Sequence, residues 1–415
     1  MTQPINPLSR RKFLQFSAAG VLTTTVLVAC GSDDSSESSD TDATNPPTGD
    51  STAATTAAGE TASVADAYGG DFTWISPRGT IEVVDDYPYW VALAMGYFGD
   101  LPTAMEAGPS DATAVVRFTA VGQTDIGFPS PGVLTFAIGE DLDLVSVFGS
   151  GRLDLFNFAF RVGEGVSDIA EMEGMTVLLG SPGWQAICDP MFAAAGVDHT
   201  TINYVDAGFP GWTSTLASGE GDACLAWEGL RADLGGKGLE FDYWLGRVGS
   251  QLPSNSLVVR KADIEDEQRR QFIQQYLTAW AKGHEFAERN PRAATQIVFE
   301  ALPAVRDNLG AKFGTESLMQ IHQTFKGNDF ESRAGWGEHD IPQWDLFFET
   351  AKAVGQTELD IETQDWVLND FIEEANSFDK EAVWADADAF ELDEDMAAVD
   401  VADIEANFFN NATNA

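Results

Sequence analysis

Basic residues are scarce in this chain. Of its 415 residues, 23 are Lys or Arg and 66 are Asp or Glu, which gives a formal net charge of −43. Nucleic acids and anionic lipid surfaces are recognised through patches of Lys and Arg, so neither is expected to be an electrostatic partner. We interpret the excess of carboxylates as a solvated acidic surface, which is compatible with adaptation to salt.

Metal-ligating and nucleophilic residues are also few. The four histidines show no helical pair and no cysteine partner at ligand spacing, which argues against a zinc site. We interpret the segment around His339 as a solvated loop. The glycine-rich stretches lack the residues of a nucleophile elbow, a phosphate loop or a dinucleotide fingerprint. We therefore predict no catalytic residue, no metal and no cofactor.

No apolar run reaches the roughly 20 residues that a membrane-spanning helix requires. The N-terminal apolar stretch is short and rich in Thr, and it follows the twin-arginine pattern Ser9–Leu14. It ends in Leu27–Cys30, which resembles a bacterial lipobox. Residues 1–29 are therefore predicted to be a twin-arginine lipoprotein signal peptide. Cys30 would carry the lipid that anchors the mature protein on the outer face of the cell membrane, in the periplasm or at the cell surface.

The two ends of the mature chain are poor in core residues. Residues 30–68 contain almost no large apolar side chain, and we predict a disordered tether with an r.m.s. reach of about 35 Å. From residue 386 the chain is acidic, so residues 351–415 are expected to form a loosely packed helical extension. Cys188 and Cys224 favour two buried free thiols, with a disulfide as the alternative that an exported location permits.

The stretch 171–228 changes periodicity repeatedly. Short apolar runs at 175–179, 202–205 and 223–227 alternate with helical spacing, which predicts parallel strands covered by helices. Ligands of such sheets lie beyond the carboxyl ends of the strands. Pro190 leaves two alternatives for the first helix. Either the helix continues through Pro190 with a kink, or a turn precedes a helix that begins at Asp189.

Several runs in this chain carry a family resemblance. Within the central stretch they are Ser167–Val177, Gly180–Trp184 and Ser214–Glu228, and upstream they are Ala92–Phe98 and Val121–Gly127. These runs resemble the solute-binding proteins of the nitrate/sulfonate/taurine and thiamine-pyrimidine-precursor group. The resemblance covers about residues 71–300.

The resemblance implies an α/β fold of the type 2 periplasmic-binding-protein class, with two lobes that each hold a mostly parallel sheet flanked by helices. Residues 69–160 and 250–350 would form lobe I, and residues 161–249 would form lobe II. The chain would cross between the lobes at Phe156–Arg161 and return at Ser256–Arg260.

The resemblance also implies a function as the solute-capturing component of an ABC importer. The expected partners are a small-molecule solute, a transporter permease and the membrane, and we expect a monomer. An extracellular enzyme and a sensory or structural lipoprotein that binds no solute are the alternatives.

The predicted ligand contacts lie in loops that follow the strands of both lobes. Two arginines in a chain with few cations suit a sulfonate or carboxylate, whereas Glu228 and the aromatic residues suit an amine-bearing heterocycle. The sequence leaves this choice open. The predicted contacts are Ser76, Arg78, Tyr87, Trp90, Phe128, Pro129, Ser130, Ser150, Arg152, Ser181, Gly183, Trp184 and Glu228.

Overall fold

Two α/β lobes, each built on a five-stranded sheet, make up the described part of the chain. The computed structural model describes residues 70–109 and 111–415, and both lobes belong to one compact unit. The predicted signal peptide, the tether and Cys30 lie outside the described residues, so they stay predictions. The two-lobe α/β prediction is confirmed.

The secondary-structure elements are numbered in chain order. The strands are β1 (Phe72–Ile75), β2 (Thr103–Glu106), β3 (Ile126–Gly127), β4 (Leu144–Gly149), β5 (Phe156–Arg161), β6 (Thr176–Leu179), β7 (Asn203–Asp206), β8 (Ala223–Trp227), β9 (Phe241–Leu245) and β10 (Ser256–Arg260). The helices are α1 (Tyr87–Ala94), α2 (Ala114–Ala120), α3 (Pro131–Gly139), α4 (Gln185–Ala194), α5 (Trp212–Ala217), α6 (Leu230–Gly236), α7 (Gly246–Gly249), α8 (Lys261–Glu265), α9 (Glu267–Arg289), α10 (Pro291–Ala301), α11 (Pro303–Lys326), α12 (Ile341–Ala353), α13 (Ile372–Ala375), α14 (Lys380–Ala389), α15 (Glu394–Ala397) and α16 (Val401–Ala406).

The two sheets share one plan. The first has the order β2-β1-β3-β10-β4, and the second has the order β7-β6-β8-β5-β9. In each sheet the first three strands run parallel, and one strand, β10 or β5, pairs antiparallel with both of its neighbours. These two antiparallel strands are those that follow a crossing between the lobes. The antiparallel strand of each sheet is therefore the first strand that the chain forms after it crosses into that lobe.

The boundary between the lobes differs from the prediction by one strand. β5 pairs with β8 and β9 and so belongs to the second sheet, although residues up to 160 were assigned to lobe I. The crossing connections are therefore residues 150–155 and 246–255. They are joined by hydrogen bonds: Ser250 Oγ donates to Asp154 Oδ2 at 2.6 Å, and the Ser150 amide donates to the Asn255 carbonyl at 3.0 Å.

Helix α9 holds the core of the first lobe together. Asp266 caps its N-terminus by accepting a hydrogen bond from the Arg269 amide at 2.8 Å. Its apolar face is buried against α1 and α14. Its members are Phe272, Ile273, Tyr276, Leu277 and Trp280.

Helix α4 accommodates Pro190 in its interior, so the alternative that begins a helix at Asp189 is wrong. A proline cannot donate to the carbonyl four residues earlier, which here belongs to Ala186. That carbonyl instead accepts a hydrogen bond from Nε2 of Gln356 at 3.0 Å. The same carbonyl lies 2.5 Å from the position that a β-carbon on Gly132 would occupy, so α3 can approach α4 closely only with glycine there.

The C-terminal extension is packed, so the expectation of a loose tail is wrong. Its acidic residues cap helices, because Asp379, Asp393 and Asp400 each accept a hydrogen bond from a first-turn amide. Others pair with the scarce cations, as Asp388 does with Arg289 at 2.6 Å. These interactions allow the apolar residues of the extension to be buried, among them Val383, Ala387, Met396 and Ile404.

The last residues of the chain attach to the second lobe. The backbone of Tyr243, in edge strand β9, donates to the Asn411 carbonyl at 2.7 Å and accepts from Thr413 at 2.8 Å. Asn414 exchanges two side-chain hydrogen bonds with the backbone of Leu245. Because α14 packs on α9 in the first lobe, the extension is a further link between the lobes. We call residues 408–414 the C-terminal strap.

Two smaller findings concern cysteine and membrane spans. Cys188 and Cys224 are both buried and free, which favours the thiol interpretation over the disulfide. Burial raises the pKa of both thiols. Within residues 70–109 and 111–415, every helix is too short or too polar to cross a membrane.

Candidate functional site

A cavity lies between the two lobes, at the carboxyl ends of strands from both sheets. The space between its walls measures about 730 Å³ when the part that is open to solvent is included. The first lobe contributes Pro77, Arg78, Asp85, Ala112, Phe128, Pro129, Ser130, Val133, Asn255, Ile321 and Phe325. The second lobe and its crossing contribute Leu155, Phe156, Trp184, Ile187, Leu225 and Trp227.

The loop between β1 and α1 supplies the charged groups of the cavity. The Arg78 guanidinium forms an ion pair with Asp86, and its Nη1 lies 3.8 Å from Oδ2 of Asp85. Ser76 shapes this loop, because its hydroxyl accepts from the Arg78 amide at 3.3 Å. One guanidinium thus faces two carboxylates, so the positive charge of Arg78 is already neutralised within the protein.

Asp85 connects the two lobes across the cavity. Its Oδ2 accepts a hydrogen bond from the indole Nε1 of Trp227, in β8, at 2.9 Å. Burial raises the pKa of the Asp85 carboxyl to about 7, and the nearby Arg78 charge limits that rise. The group can therefore change its protonation state near neutral pH.

Tryptophans form the wall of the cavity on the second lobe. Trp184 ends the short 3-10 turn Pro182–Trp184, directly after β6. Its ring lies edge-on to Trp227 with centroids 5.9 Å apart, and Trp227 stacks on Trp212 at 5.8 Å. Because Trp212 is buried and donates to the Leu225 carbonyl, it fixes the other two rings. A flat solute would find rigid aromatic surface here.

Five of the predicted contacts line this cavity. They are Arg78, Phe128, Pro129, Ser130 and Trp184. Ser130 has a second task as the N-cap of α3, where its hydroxyl accepts from the Val133 amide at 3.4 Å. The sequence placed all five in loops after strands, and the carboxyl ends of those strands do converge.

Tyr87 and Trp90 lie in the core of the first lobe instead. The Tyr87 hydroxyl is hydrogen-bonded to Nδ1 of His284 at 2.8 Å and to Nδ1 of His322 at 2.7 Å. Trp90 packs against the same core, edge-on to Tyr89. Both were predicted contacts because they follow the first ligand loop, but α1 turns these rings away from the cavity.

Arg152 and Glu228 are engaged in ion pairs. Arg152 pairs with Asp329, and its Nη2 lies 3.0 Å from Oδ2 of Asp340. Glu228 is fully buried and accepts from Arg231 at 3.0 Å. Neither residue belongs to the cavity lining, so the anion-binding role of Arg152 and the amine-binding role of Glu228 lose their geometric basis.

The remaining predicted contacts support the cavity from outside its lining. Ser150 donates its amide to Asn255, as described for the crossings. Ser181 is buried at the start of the turn that carries Trp184. A β-carbon on Gly183 would lie 3.7 Å from that of Ala112, so this turn faces the first lobe beside the cavity.

Five polar or aromatic lining residues were missed, namely Asp85, Phe156, Trp227, Asn255 and Phe325. Asp85 lies in the same loop as the predicted Arg78, and Trp227 directly precedes the predicted Glu228. Asn255 precedes the return strand β10 in a segment without a motif. Phe325 comes from α11, about 200 residues after Phe128, and no sequence signal relates the two.

The surroundings of His339 differ from their interpretation as a solvated loop. Among the described residues, no group of His, Cys, Asp and Glu is arranged to hold a metal ion. His339 is buried and hydrogen-bonded to Ser146 at 3.0 Å, so its interpretation as part of a solvated loop is wrong. Burial lowers its pKa to about 3, so the ring is neutral.

Comparison with known proteins agrees with this architecture. A formylaminopyrimidine-binding protein of Halalkalibacterium halodurans is 26% identical over 234 residues, which are 53% of this chain and 69% of that protein. The nitrate-binding protein NrtA of Synechocystis PCC 6803 superposes with a TM-score of 0.52 at 11% identity, over 77% of this chain and 97% of its own.

A ligand-binding component of an ABC-type import system from Staphylococcus aureus superposes with a TM-score of 0.53 at 10% identity, over 74% of this chain and 98% of its own. At such identities the superpositions establish the fold alone. The family described as NMT1/THI5 like matches residues 85–294, which is half of the chain and includes most of the cavity lining. The chain belongs to the NMT1/THI5-like family.

Proposed function

We propose that this protein is the extracytoplasmic solute-binding component of an ABC importer, and that its solute is a flat, amine-bearing heterocycle. The solute would be enclosed between the lobes in the cavity lined by Trp184, Trp227 and Asp85. Contacts to both lobes stabilise the closed arrangement over the open one, which is how a solute can drive a hinge motion.

The charge balance of the cavity is the observation that carries the choice of solute. Arg78 is the one cation among the described lining residues, and it already faces Asp85 and Asp86. A sulfonate or nitrate at this guanidinium would compete with both carboxylates for its charge and would be repelled by them at short range, although Nε of Arg78 has no partner in the described part of the chain. An amine or ring N–H instead finds an acceptor in Asp85.

The aromatic surface favours the same class of solute. The rings of Trp184, Trp227, Phe128, Phe156 and Phe325 come from both lobes and surround the polar groups of the first lobe. Stacking on such rings stabilises the binding of a flat aromatic solute and contributes little to the binding of a compact tetrahedral anion. The name of the relative from Halalkalibacterium halodurans, a formylaminopyrimidine-binding protein, supports a heterocycle of this kind.

A thermal-shift screen tests this choice of solute. We expect aminopyrimidines, including a formylaminopyrimidine, to raise the melting temperature, because a ligand that binds only the folded state stabilises it by about 2.7 kcal/mol at 100 times Kd. Nitrate, taurine and alkanesulfonates at the same concentrations should leave the melting temperature unchanged. Stabilisation by the anions without stabilisation by the heterocycles would reverse the proposed class.

Export and anchoring are part of the proposed function. The pattern Ser9–Leu14 and the lipobox-like Leu27–Cys30 support twin-arginine export followed by lipidation of Cys30. Delivery of the solute to a permease requires such a location. We also propose that the protein is a monomer without catalytic activity.

The anchor can be tested in the native host. Cys30→Ala should release the protein from membranes, and Cys188→Ala provides a control because that thiol lies in the folded part. Replacing Arg10 and Arg11 by Lys should leave precursor in the cytoplasm. A membrane-bound Cys30→Ala variant would refute lipidation at this position.

A further inference from the structure

Asn255 is a cavity residue with unused hydrogen-bonding capacity. It lines the cavity directly before β10, and 8% of its surface is exposed. Among the described residues its carboxamide has no hydrogen-bond partner, and its Oδ1 is fully buried. A buried acceptor without a hydrogen bond destabilises the free protein. The amide of Asn255 therefore does not contribute to the stability of the fold.

The backbone fixes where this amide lies. The Asn255 carbonyl accepts from the Ser150 amide at 3.0 Å, and the Ser256 amide donates to the Pro129 carbonyl at 3.3 Å. Asn255 ends the second crossing connection and is thus held against the first crossing and next to the residue that bonds to Pro129, which also lines the cavity. Of the other polar lining groups, Ser130 caps α3 and both terminal nitrogens of Arg78 face carboxylates, whereas Nε of Arg78 also has no partner among the described residues.

A carboxamide presents an N–H donor beside a carbonyl acceptor. It can form two hydrogen bonds with a solute whose edge carries an acceptor beside a donor. An amino group next to a ring nitrogen has this pattern, which is the basis for the paired recognition of adenine by Asn. Since no protein bond holds the amide, a rotation about its last bond can exchange the two atoms. It can then match either order of the donor and acceptor on the solute.

We infer that Asn255 is a specificity-determining residue, whose carboxamide binds the edge of the solute where an amino group lies next to a ring nitrogen. This inference rests on the proposed function and names the feature of the heterocycle that the cavity recognises. A site that forms hydrogen bonds to such an edge discriminates strongly against an analogue that lacks it, because the polar groups of the site are then left unpaired.

The test compares two probes of nearly equal shape, 4-amino-2-methylpyrimidine and 2,4-dimethylpyrimidine, by calorimetric titration. The unmodified protein should prefer the amino compound. Asn255→Leu should reduce that preference about 10- to 100-fold, since it removes both polar atoms at similar volume. Its melting temperature without solute should be unchanged or higher. Asn255→Asp should also weaken binding of the amino compound, because the substitution replaces the amide NH₂ donor by a second acceptor oxygen.

Asn157→Leu is the matched control. Asn157 is buried in β5, but its Oδ1 accepts from the Gly246 amide at 3.0 Å and so supports the fold. This variant should lower the melting temperature and keep the preference between the probes.

The outcomes separate the two proposals. Full preference for the amino compound in Asn255→Leu and Asn255→Asp would overturn the inference and leave the proposed function standing. A lower melting temperature of both variants with unchanged affinity would give Asn255 a structural role, and would also overturn it. Failure of the unmodified protein to bind any amine-bearing heterocycle would overturn the proposed function and this inference together.

Discussion

Nε1 of Trp227 in the second lobe donates a 2.9 Å hydrogen bond to Oδ2 of Asp85 in the first lobe. The bond spans the cavity lining, so it can exist only while the lobes are close together. It also helps to keep the Asp85 carboxyl ionised, because hydrogen bonds to a carboxylate favour its charged form. The same carboxylate thus forms a contact between the lobes and is the acceptor that we propose for the solute.

Loss of this bond should favour the open arrangement. Trp227→Phe keeps an aromatic ring and removes the donor, so we expect a larger radius of gyration in small-angle scattering and solute binding weaker by about 1–3 kcal/mol. Trp212→Phe is the control, because its indole donates at 2.8 Å to Leu225 within the second lobe. The control should lose stability without expansion. Equal radii of gyration for Trp227→Phe and the unmodified protein would contradict this role.

Solute binding should depend on pH through Asp85. Its pKa of about 7 means that the carboxyl is mostly protonated at pH 6 and mostly ionised at pH 8. A solute that donates to the carboxylate binds the ionised form, so affinity should rise roughly tenfold between these pH values for a solute of constant charge. Calorimetry across this range measures the slope, and Asp85→Asn should abolish it. A slope that persists in Asp85→Asn would assign the titration to another group.

Asp154, at the crossing, should lower the stability of the folded protein as pH rises. Burial raises its pKa to about 7, so the folded state holds its proton more tightly than the unfolded state. The free energy of unfolding therefore declines between about pH 4 and pH 7, by on the order of 3 kcal/mol from this group. Asp154→Asn should decline less over the same range in urea titrations. Parallel pH profiles for the two proteins would contradict this assignment.

The C-terminal strap should restrict opening of the lobes. Asn414→Ala removes two hydrogen bonds to Leu245, so we expect a loss of about 1–2 kcal/mol of stability and faster solute release. Asn410→Ala is the matched control, because Asn410 is exposed and its side chain bonds to the nearby Asn407. It should change stability by less than about 0.5 kcal/mol. Stopped-flow release rates that are the same for both variants would exclude a role for the strap in opening.

Local apolar periodicity was sufficient to predict much of the fold. The predicted run 223–227 coincides with β8, and the two predicted crossing segments have the bounds of β5 and β10, because each is a short apolar run bounded by polar or turn residues. The interpretation of His339 failed because its burial depends on Ser146, almost 200 residues away. The C-terminal extension was misjudged because the capping role of an aspartate depends on which backbone amides lie nearby.

The site was predictable only to the level of loops. Phe128 and Trp184 were predicted as contacts because they follow strands, and both line the cavity. The topology of a parallel sheet fixes where such loops converge. The engagement of a side chain depends on its neighbours in space. Arg78 and Arg152 both suggested an anion in the sequence, yet carboxylates neutralise each of them. Phe325 enters the cavity from a helix of the first lobe that carries no motif.

Competitive calorimetry with a formylaminopyrimidine is the most direct test of the proposed function. The unmodified protein should bind this compound, and a large excess of nitrate or methanesulfonate should leave its affinity unchanged. Trp184→Ala should weaken it, because the variant removes stacking surface, whereas Arg152→Ala should bind it normally, because Arg152 pairs with Asp340 outside the cavity lining. Displacement of the heterocycle by either anion, or full affinity in Trp184→Ala, would contradict a cavity built for a flat, amine-bearing solute.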